Sequence, residues 1–144
     1  MKIVIGNDHA AVALKQEMAA YLTELGHEVI NIGTDTSDSC NYPEYGEKAG
    51  RMVAAGEADC GVLICGTGVG ISVAANKVKG VRAAVCSEPV TARLVKEHNN
   101  ANIIALIDCS VGLMMTMLAF ELWMFCTFLK EVYKTSVKVT QGLL

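Results

Sequence analysis

The chain of 144 residues has few of the features that mark disordered or nucleic-acid-binding proteins. It contains only two prolines, and 19% of its residues are charged. Apolar residues make up 52%, which is enough for a hydrophobic core and argues against disorder. Twelve basic and fifteen acidic residues give a net charge of −3. Because nucleic acids and anionic membranes select basic surfaces, we expect neither as a partner.

The cysteines do not indicate a zinc site or a disulfide framework. Six cysteines are irregularly spaced without a doubled C-x-x-C pair, and only three histidines are present. The opening residues reach a polar stretch at positions 7–9, too early for the apolar segment of a signal peptide. We therefore expect a reduced, cytoplasmic protein without a metal.

Short apolar runs alternate with segments of helical periodicity up to residue 106. The predicted strands span residues 2–5, 28–32, 61–65, 81–86 and 101–106. The predicted helices span residues 10–25, 43–56, 71–78 and 89–98, and a last helix begins near residue 110. Such alternation favours parallel strands joined by right-handed crossovers. The sequence therefore predicts one α/β domain over residues 1–144, a doubly wound, Rossmann-like, five-stranded parallel sheet with helices on both faces.

Ligands bind such sheets beyond the carboxyl ends of the strands. The residues expected at this edge, just after the strands, are Asp8, His9, Tyr42, Cys65 to Gly70, Glu88 and Asn99.

The last third of the chain has a different composition. Residues 111–129 are almost continuously apolar and approach the length of a transmembrane helix. Glu121 lies in the middle of this run, and no basic cluster flanks it. We interpret the segment as a helix buried on several sides, for example in a subunit interface.

The segment from Cys65 to Gly70 carries the strongest chemical signal. Its alternate glycines, Gly66, Gly68 and Gly70, leave backbone N–H groups free to converge on an anion where a helix begins. A thiolate beside such amides could remove a proton next to a carbonyl while the amides hold the resulting enediolate. The segment lacks the Gly-Lys-Ser/Thr of a Walker A loop, and Ile71 stands where a dinucleotide fingerprint has glycine and a cysteine phosphatase has arginine.

Each candidate also has a purely structural interpretation. Cys65 could be a small buried hydrophobic residue, and Asp8 is well placed to cap the first helix. His98 could be a residue favoured at a helix C-terminus by the helix dipole.

Six motifs in order resemble the type B ribose-5-phosphate isomerase family, which includes the galactose-6-phosphate isomerases of the lactose pathway. The resemblance covers residues 1 to about 106 without a gap. The motifs occupy residues 6–9 (GNDH), 41–43 (NYP), 64–72 (ICGTGVGIS), 74–77 (AANK), 80–83 (GVRA) and 97–102 (EHNNAN).

The resemblance implies an aldose–ketose isomerase that interconverts ribose 5-phosphate and ribulose 5-phosphate through a cis-enediolate, without a metal or coenzyme. Cys65 would move the proton between C1 and C2 with assistance from Thr67. His98, together with Asp8, would open the furanose ring. The enediolate would be held by the amides of Gly66, Gly68, Val69 and Gly70.

The same resemblance assigns substrate contacts and a quaternary structure. His9 would contact the phosphate, whereas Tyr42 and Asn99 would line the sugar site. The family forms dimers whose active sites take residues from both chains, so a homodimer or a dimer of dimers is implied.

The sequence departs from the family in its tail, a divergent and predicted helical segment at about residues 107–144. The family has arginines that grip the substrate phosphate at positions that correspond to Cys109, Val132 and Ser136. None of these residues is basic, and a guanidinium binds phosphate through paired hydrogen bonds that they cannot make.

Three explanations of this departure remain open. The tail accepts a different or unphosphorylated substrate, it comes from a shifted reading frame, or it reaches the phosphate through Lys130, Lys134 or Lys138. The functional alternatives are an isomerase of allose 6-phosphate or galactose 6-phosphate, a catalytically impaired phosphosugar-binding module and, more remotely, a redox-sensing thiol protein.

Overall fold

The computed structural model describes residues 1–108 and 117–126. Its strands are β1 (Lys2–Asn7), β2 (Glu28–Asn31), β3 (Cys60–Cys65), β4 (Ala83–Cys86) and β5 (Ile103–Ile107). Its helices are α1 (Val12–Glu24), α2 (Tyr42–Ala55), α3 (Val69–Ala75) and α4 (Pro89–Asn99), and residues 117–126 are also helical. The five strands form one parallel sheet in the order β2-β1-β3-β5-β4.

The central strands alternate their side chains between two apolar layers, which is why helices cover both faces. On one face, Val62 and Ile64 of β3 belong to the cluster that includes buried residues of α1, α4 and the 117–126 helix. On the other face, Leu63 and Cys65 belong to the cluster that includes buried residues of α2 and α3. The predicted doubly wound α/β sheet is therefore confirmed.

Two glycines bring α2 close to α3 and so help to position the segment that precedes α3. A Cβ on Gly46 would lie 2.5 Å from the carbonyl oxygen of Ile71, and one on Gly50 would lie 3.1 Å from that of Ala75. Any larger side chain at either position would push the two helices apart.

The starts of α1 and β4 differ from the prediction because polar side chains accept backbone N–H groups there. Residues 9–11 form a 3₁₀ turn before α1, since Oδ1 of Asp8 accepts the N–H of Ala10 at 3.0 Å. β4 begins at Ala83 rather than at residue 81, because Asn102 accepts the N–H of Arg82 and Asn76 accepts that of Ala83, both at 2.8 Å.

The 117–126 helix packs on α1 and α4. Trp123 is fully buried, and the ammonium nitrogen of Lys96 lies 5.1 Å from the centroid of its ring. The hydroxyl of Tyr21 donates a hydrogen bond to Glu121. Residues 117–126 are thus buried on the side that faces the domain, whereas Leu118 and Phe125 are exposed. Burial on several sides stays a prediction, and the rest of the predicted helix lies outside the described residues. Within the described residues, no helix is long and apolar enough to cross a membrane.

Candidate functional site

A cavity of about 360 Å³ lies at the carboxyl ends of β1 and β3. Most of the residues that the sequence predicted for the site line it: Asp8, Tyr42, Cys65, Gly66, Thr67, Val69 and Gly70. They come from the ends of two parallel strands and the starts of two helices, which meet at one edge of the sheet.

Cys65 is the last residue of the central strand β3 and lies in the wall of this cavity. Its side chain is largely buried, with 5% of the residue exposed. The N–H of Gly68 donates to its Sγ atom at 3.1 Å. The sulfur thus accepts one main-chain N–H, and the residue lines the cavity. The convergence of several amides on an anion, which the glycine pattern predicts, stays a prediction.

Gly68 occupies a position that only glycine fills without strain. Its φ of 71° is in the left-handed region, and a Cβ would lie 3.2 Å from the carbonyl oxygens of Ala105 and Leu106. This backbone turn directs the N–H of Gly68 towards Cys65. Thr67 supports the same turn, because its Oγ1 accepts the N–H of Val69 at 3.3 Å.

Asp8 both caps a helical turn and lines the cavity. Its N–H donates to the carbonyl of Ile64 at 3.1 Å, which holds it beside the end of β3. One carboxylate oxygen accepts the N–H of Ala10, and the residue is 8% exposed. The structural and functional interpretations of Asp8 are therefore compatible.

His9 and Cys40 lie together near this edge. His9 is exposed and does not line the described cavity, and its Nδ1 lies 3.8 Å from the Sγ of Cys40. Cys40 is not among the residues that the sequence predicts for the site. Its place in the loop that leads to the NYP motif was the signal that could have drawn attention to it.

The structure corrects the expected placement of Asn99. Helices between parallel strands run opposite to the strands, so α4 ends where β5 begins, at the amino edge of the sheet. His98 and Asn99 are the last residues of α4 and are exposed. Cys65 ends the six-residue strand β3, and that strand length separates the two edges by roughly 16 Å. Within one chain, these two residues are not brought to the cavity.

Asp108 is an acidic residue near Cys65 that the sequence analysis did not single out. It follows β5, and its N–H donates to the carbonyl of Cys65 at 3.1 Å. Burial raises the pKa of its carboxyl, and the charge of Asp8 raises this pKa further. Its position two residues beyond the predicted strand at 101–106 was the available signal.

A larger cavity of about 860 Å³ lies elsewhere, between β2 and α2. Its floor includes Ile30, Ile32 and Met52, and its charged residues include Lys48 and Arg51. None of the residues predicted for the site lines it. The smaller cavity, which combines a thiol, a carboxylate and a glycine-rich turn, has the chemistry of an active site.

Among residues 1–108 and 117–126, no group of three or more His, Cys, Asp or Glu side chains is arranged to hold a metal ion. Glu88 caps α4 by accepting the N–H groups of Val90 and Thr91, so it serves the helix rather than the described cavity. Cys109, Val132 and Ser136, where the family has arginine, lie outside the described residues.

Residues 3–140 match a family model described as ribose/galactose isomerase. The chain is 48% identical to ribose-5-phosphate isomerase B of Escherichia coli K12 over 85% of this chain and 83% of that protein. It is 51% identical to a galactose-6-phosphate isomerase subunit of Clostridium acetobutylicum over 73% of this chain and 61% of that protein. The structure of ribose-5-phosphate isomerase B from Clostridium thermocellum superposes with a TM-score of 0.85, at 43% identity, over 96% of this chain and 99% of that one.

Proposed function

The chain belongs to the ribose/galactose isomerase family, whose members are named as sugar-phosphate isomerases, and we propose that it interconverts ribose 5-phosphate and ribulose 5-phosphate. The observation that carries this proposal is the position of the Cys65 sulfur in the cavity wall, 3.1 Å from the N–H of Gly68. A base beside amide donors is what proton transfer through an enediolate requires. The names of two similar proteins favour a five-carbon sugar phosphate.

In the proposed reaction, the thiolate of Cys65 removes the proton from C2 of the open-chain aldose. The electron pair of that C–H bond forms the C1–C2 double bond, and the carbonyl electrons move to O1. The amides of Gly66 and Gly70 stabilise the oxyanion. Those of Gly68 and Val69, which donate to Sγ of Cys65 and Oγ1 of Thr67, join them when the oxyanion replaces these acceptors. Return of the proton from sulfur to C1, with transfer of the O2 proton to O1, gives the ketose, so no atom is gained or lost.

Ring opening is proposed to use Asp8 of one chain and His98 of a second copy. The support is geometric, because His98 and Asn99 lie at the edge of the sheet opposite to Cys65 and cannot complete the cavity of their own chain. Apolar residues next to the cavity are exposed, with Val69 at 53% and Val73 at 52%. A homodimer that covers this surface would bury Val69 and Val73. It would also bring His98 and Asn99 of the second chain to the cavity.

Phosphate binding is proposed to involve His9 and lysines of the tail instead of the family arginines. His9 directly follows Asp8 and is exposed. Lys130, Lys134 and Lys138 supply positive charge in the part of the sequence where arginine is missing. A lysine binds phosphate as a point charge, without the paired geometry of a guanidinium.

The protein is proposed to act in the cytoplasm, since the cysteines at 40, 60, 65, 86 and 126 are free, as in a reducing compartment.

The proposal is tested by assaying ketose formation from ribose 5-phosphate, allose 6-phosphate, galactose 6-phosphate and free ribose. Cys65→Ala should lower kcat on the preferred sugar by roughly 10²–10⁴-fold, the range for loss of a positioned base. Cys86→Ala removes another buried thiol, away from the cavity, and should leave kcat within about threefold, since it alters packing only. Loss of less than tenfold in Cys65→Ala would refute the assignment of the base.

A phosphosugar-binding module is the second candidate, favoured by the non-arginine residues at positions 109, 132 and 136. It predicts that ribose 5-phosphate raises the Tm without any turnover. A preference for galactose 6-phosphate, as the name of the second relative suggests, would keep the enzyme class and change the substrate.

A further inference from the structure

A buried lysine on α1 holds the loop that forms one side of the candidate active site. Lys15 is 1% exposed, although it is a charged residue on a helix. Its Nζ donates to the carboxylate of Asp35 and lies 3.5 Å from Oδ1 of Asn31. A charged group that is removed from water requires such partners. We call these three residues the Lys15 cluster.

The partners of Lys15 lie at the start of the loop at residues 32–41, which joins β2 to α2. Asn31 is the last residue of β2, and it donates through Nδ2 to Asp35 at 3.3 Å while its Oδ1 accepts the N–H of Gly33 at 3.1 Å. The carboxylate of Asp35 is largely exposed, so its interaction with the buried lysine is what draws this part of the loop onto α1. These hydrogen bonds from Lys15 and Asn31 hold the pKa of Asp35 below its usual value.

The same loop is held against β1 at Gly33. A Cβ there would lie 2.6 Å from the backbone nitrogen of Asn7, the last residue of β1. The loop therefore has fixed contacts with the residue that immediately precedes Asp8 of the cavity. Two contacts on different elements, α1 and β1, define where the loop leaves the sheet.

The far end of the loop reaches the candidate site. Cys40 lies 3.8 Å from Nδ1 of His9, and Tyr42, directly after the loop, lines the cavity and lies against Gly70. A shift at Asp35 would be transmitted over a few residues to Tyr42. Cys65 and its amide donor, in contrast, belong to β3 and the turn before α3, which the Lys15 cluster does not contact.

We propose that Lys15 is a positioning residue that fixes the loop at residues 32–41 through Asp35 and Asn31 and so places Tyr42 for sugar binding. This role rests on the proposed isomerase function. It separates binding from chemistry, because the loop leads directly into Tyr42, the proposed sugar-binding side chain, whereas the base lies on a different part of the sheet. Weakening the cluster should therefore impair substrate binding and leave the proton transfer largely intact.

The test compares Asp35→Asn with Glu28→Gln. Glu28 is the matched control, since it is also a carboxylate paired with a lysine but lies on the edge strand β2, at the end opposite to the loop. Its partner is the exposed Lys2, 3.5 Å away. Steady-state kinetics on the sugar that wild type prefers should show a rise in KM of about tenfold for Asp35→Asn, with kcat within about threefold. A tenfold weaker affinity corresponds to the loss of about one hydrogen bond to the sugar. Glu28→Gln should leave both constants unchanged.

Amide hydrogen exchange supplies a second readout that does not depend on turnover. Residues 33–41 should exchange faster in Asp35→Asn than in wild type, whereas β3 and α3 should keep their protection, and Asp35→Glu should restore part of it. Faster exchange with an unchanged KM would overturn the positioning role, and so would unchanged exchange. An inactive wild type would refute the proposed isomerase function, while the exchange comparison would still decide whether the cluster holds the loop.

Discussion

The ring of Tyr42 lies so close to Gly70 that a Cβ at position 70 would come within 2.7 Å of the ring atom Cε2. Tyr42 begins α2 and Gly70 lies in the first turn of α3, so the contact joins the two helices at the cavity. The third glycine of the Cys65–Gly70 segment thus makes room for a side chain that lines the cavity.

Gly70→Ala is expected to displace the ring of Tyr42. Alanine is intrinsically better than glycine in a helix by about 1 kcal/mol, so the variant should fold. We expect KM to rise by roughly tenfold, the effect of losing about one hydrogen bond to the sugar, and kcat to change little, because the ring belongs to the proposed sugar site and not to the base. Val90→Ala, at an exposed position in the first turn of α4, is the control. Equal KM values in both variants would show that Tyr42 does not contact the sugar.

The sequence was sufficient to predict the layers of the fold because its signals are local. Each strand is a short apolar run, and each helix has its own apolar spacing, so alternation alone implied a parallel sheet. The position of β5 between β3 and β4 was not predicted, since no local pattern in Ile103–Ile107 specifies its neighbours. Asn76 and Asn102 displaced the start of β4 through side-chain hydrogen bonds that join residues about 7 and 20 positions apart.

Part of the candidate site was predicted because its residues also carry local signals in the sequence. Residues 65–70 and Asp8 directly follow strands, and the structure gathers them around one cavity. The prediction put Asn99 at the wrong edge of the sheet. Asn99 ends α4, and this helix runs opposite to the strands, so its last residues lie at the amino edge. The Lys15–Asp35 contact joins α1 to a loop, and a lysine among the apolar positions of α1 was the only local sign of it.

Gly68→Ala should lower kcat more than any comparable glycine substitution outside the site. A left-handed residue with a Cβ costs about 1–2 kcal/mol, and here the Cβ would also press on two carbonyl oxygens at 3.2 Å. The N–H that faces Cys65 would move, and losing one such donor lowers kcat by roughly 10²–10³-fold. Gly80→Ala is the matched control, because Gly80 also has a positive φ, of 92°, but a Cβ there would contact nothing within 4 Å.

The comparison of these two variants separates strain from chemistry. Thermal unfolding should show a lower Tm in both, since both place alanine in the left-handed region. The isomerase assay should show a large loss of kcat only in Gly68→Ala. Similar activities in the two variants would mean that the amide of Gly68 does not stabilise the oxyanion.

Asp108→Asn is expected to stabilise the protein at neutral pH. Burial, and then the charge of Asp8, raise the pKa of Asp108 in the folded protein. A raised pKa means that the folded state binds this proton more tightly than the unfolded state does. Stability is therefore lost as the pH rises from the ordinary value of 3.8 through the raised pKa, and the carboxylate is unfavourable above it. The uncharged amide removes this effect.

The measurement is the Tm of wild type and Asp108→Asn across a pH series. The variant should have the higher Tm at pH values well above the raised pKa, and the difference should shrink as the solution is acidified below the ordinary pKa of aspartate. A constant difference at all pH values would indicate a packing effect of the amide. A lower Tm for the variant at neutral pH would contradict the predicted sign.

Trp123→Ala tests how strongly the 117–126 helix stabilises the domain. Trp123 is fully buried between the helix and α4, where the ammonium of Lys96 lies 5.1 Å from its ring centroid, and Phe120 packs beside it at 5.9 Å between centroids. Truncating such a side chain leaves a cavity and should lower the free energy of unfolding by about 3–5 kcal/mol.

Phe125→Ala is the matched control, because Phe125 lies on the same helix but is 57% exposed, and it should change stability by about 0.5 kcal/mol or less. Urea unfolding followed by far-ultraviolet circular dichroism compares the two, since the only tryptophan of the chain is lost in one variant. Equal unfolding midpoints would mean that the helix does not pack on α4 in solution.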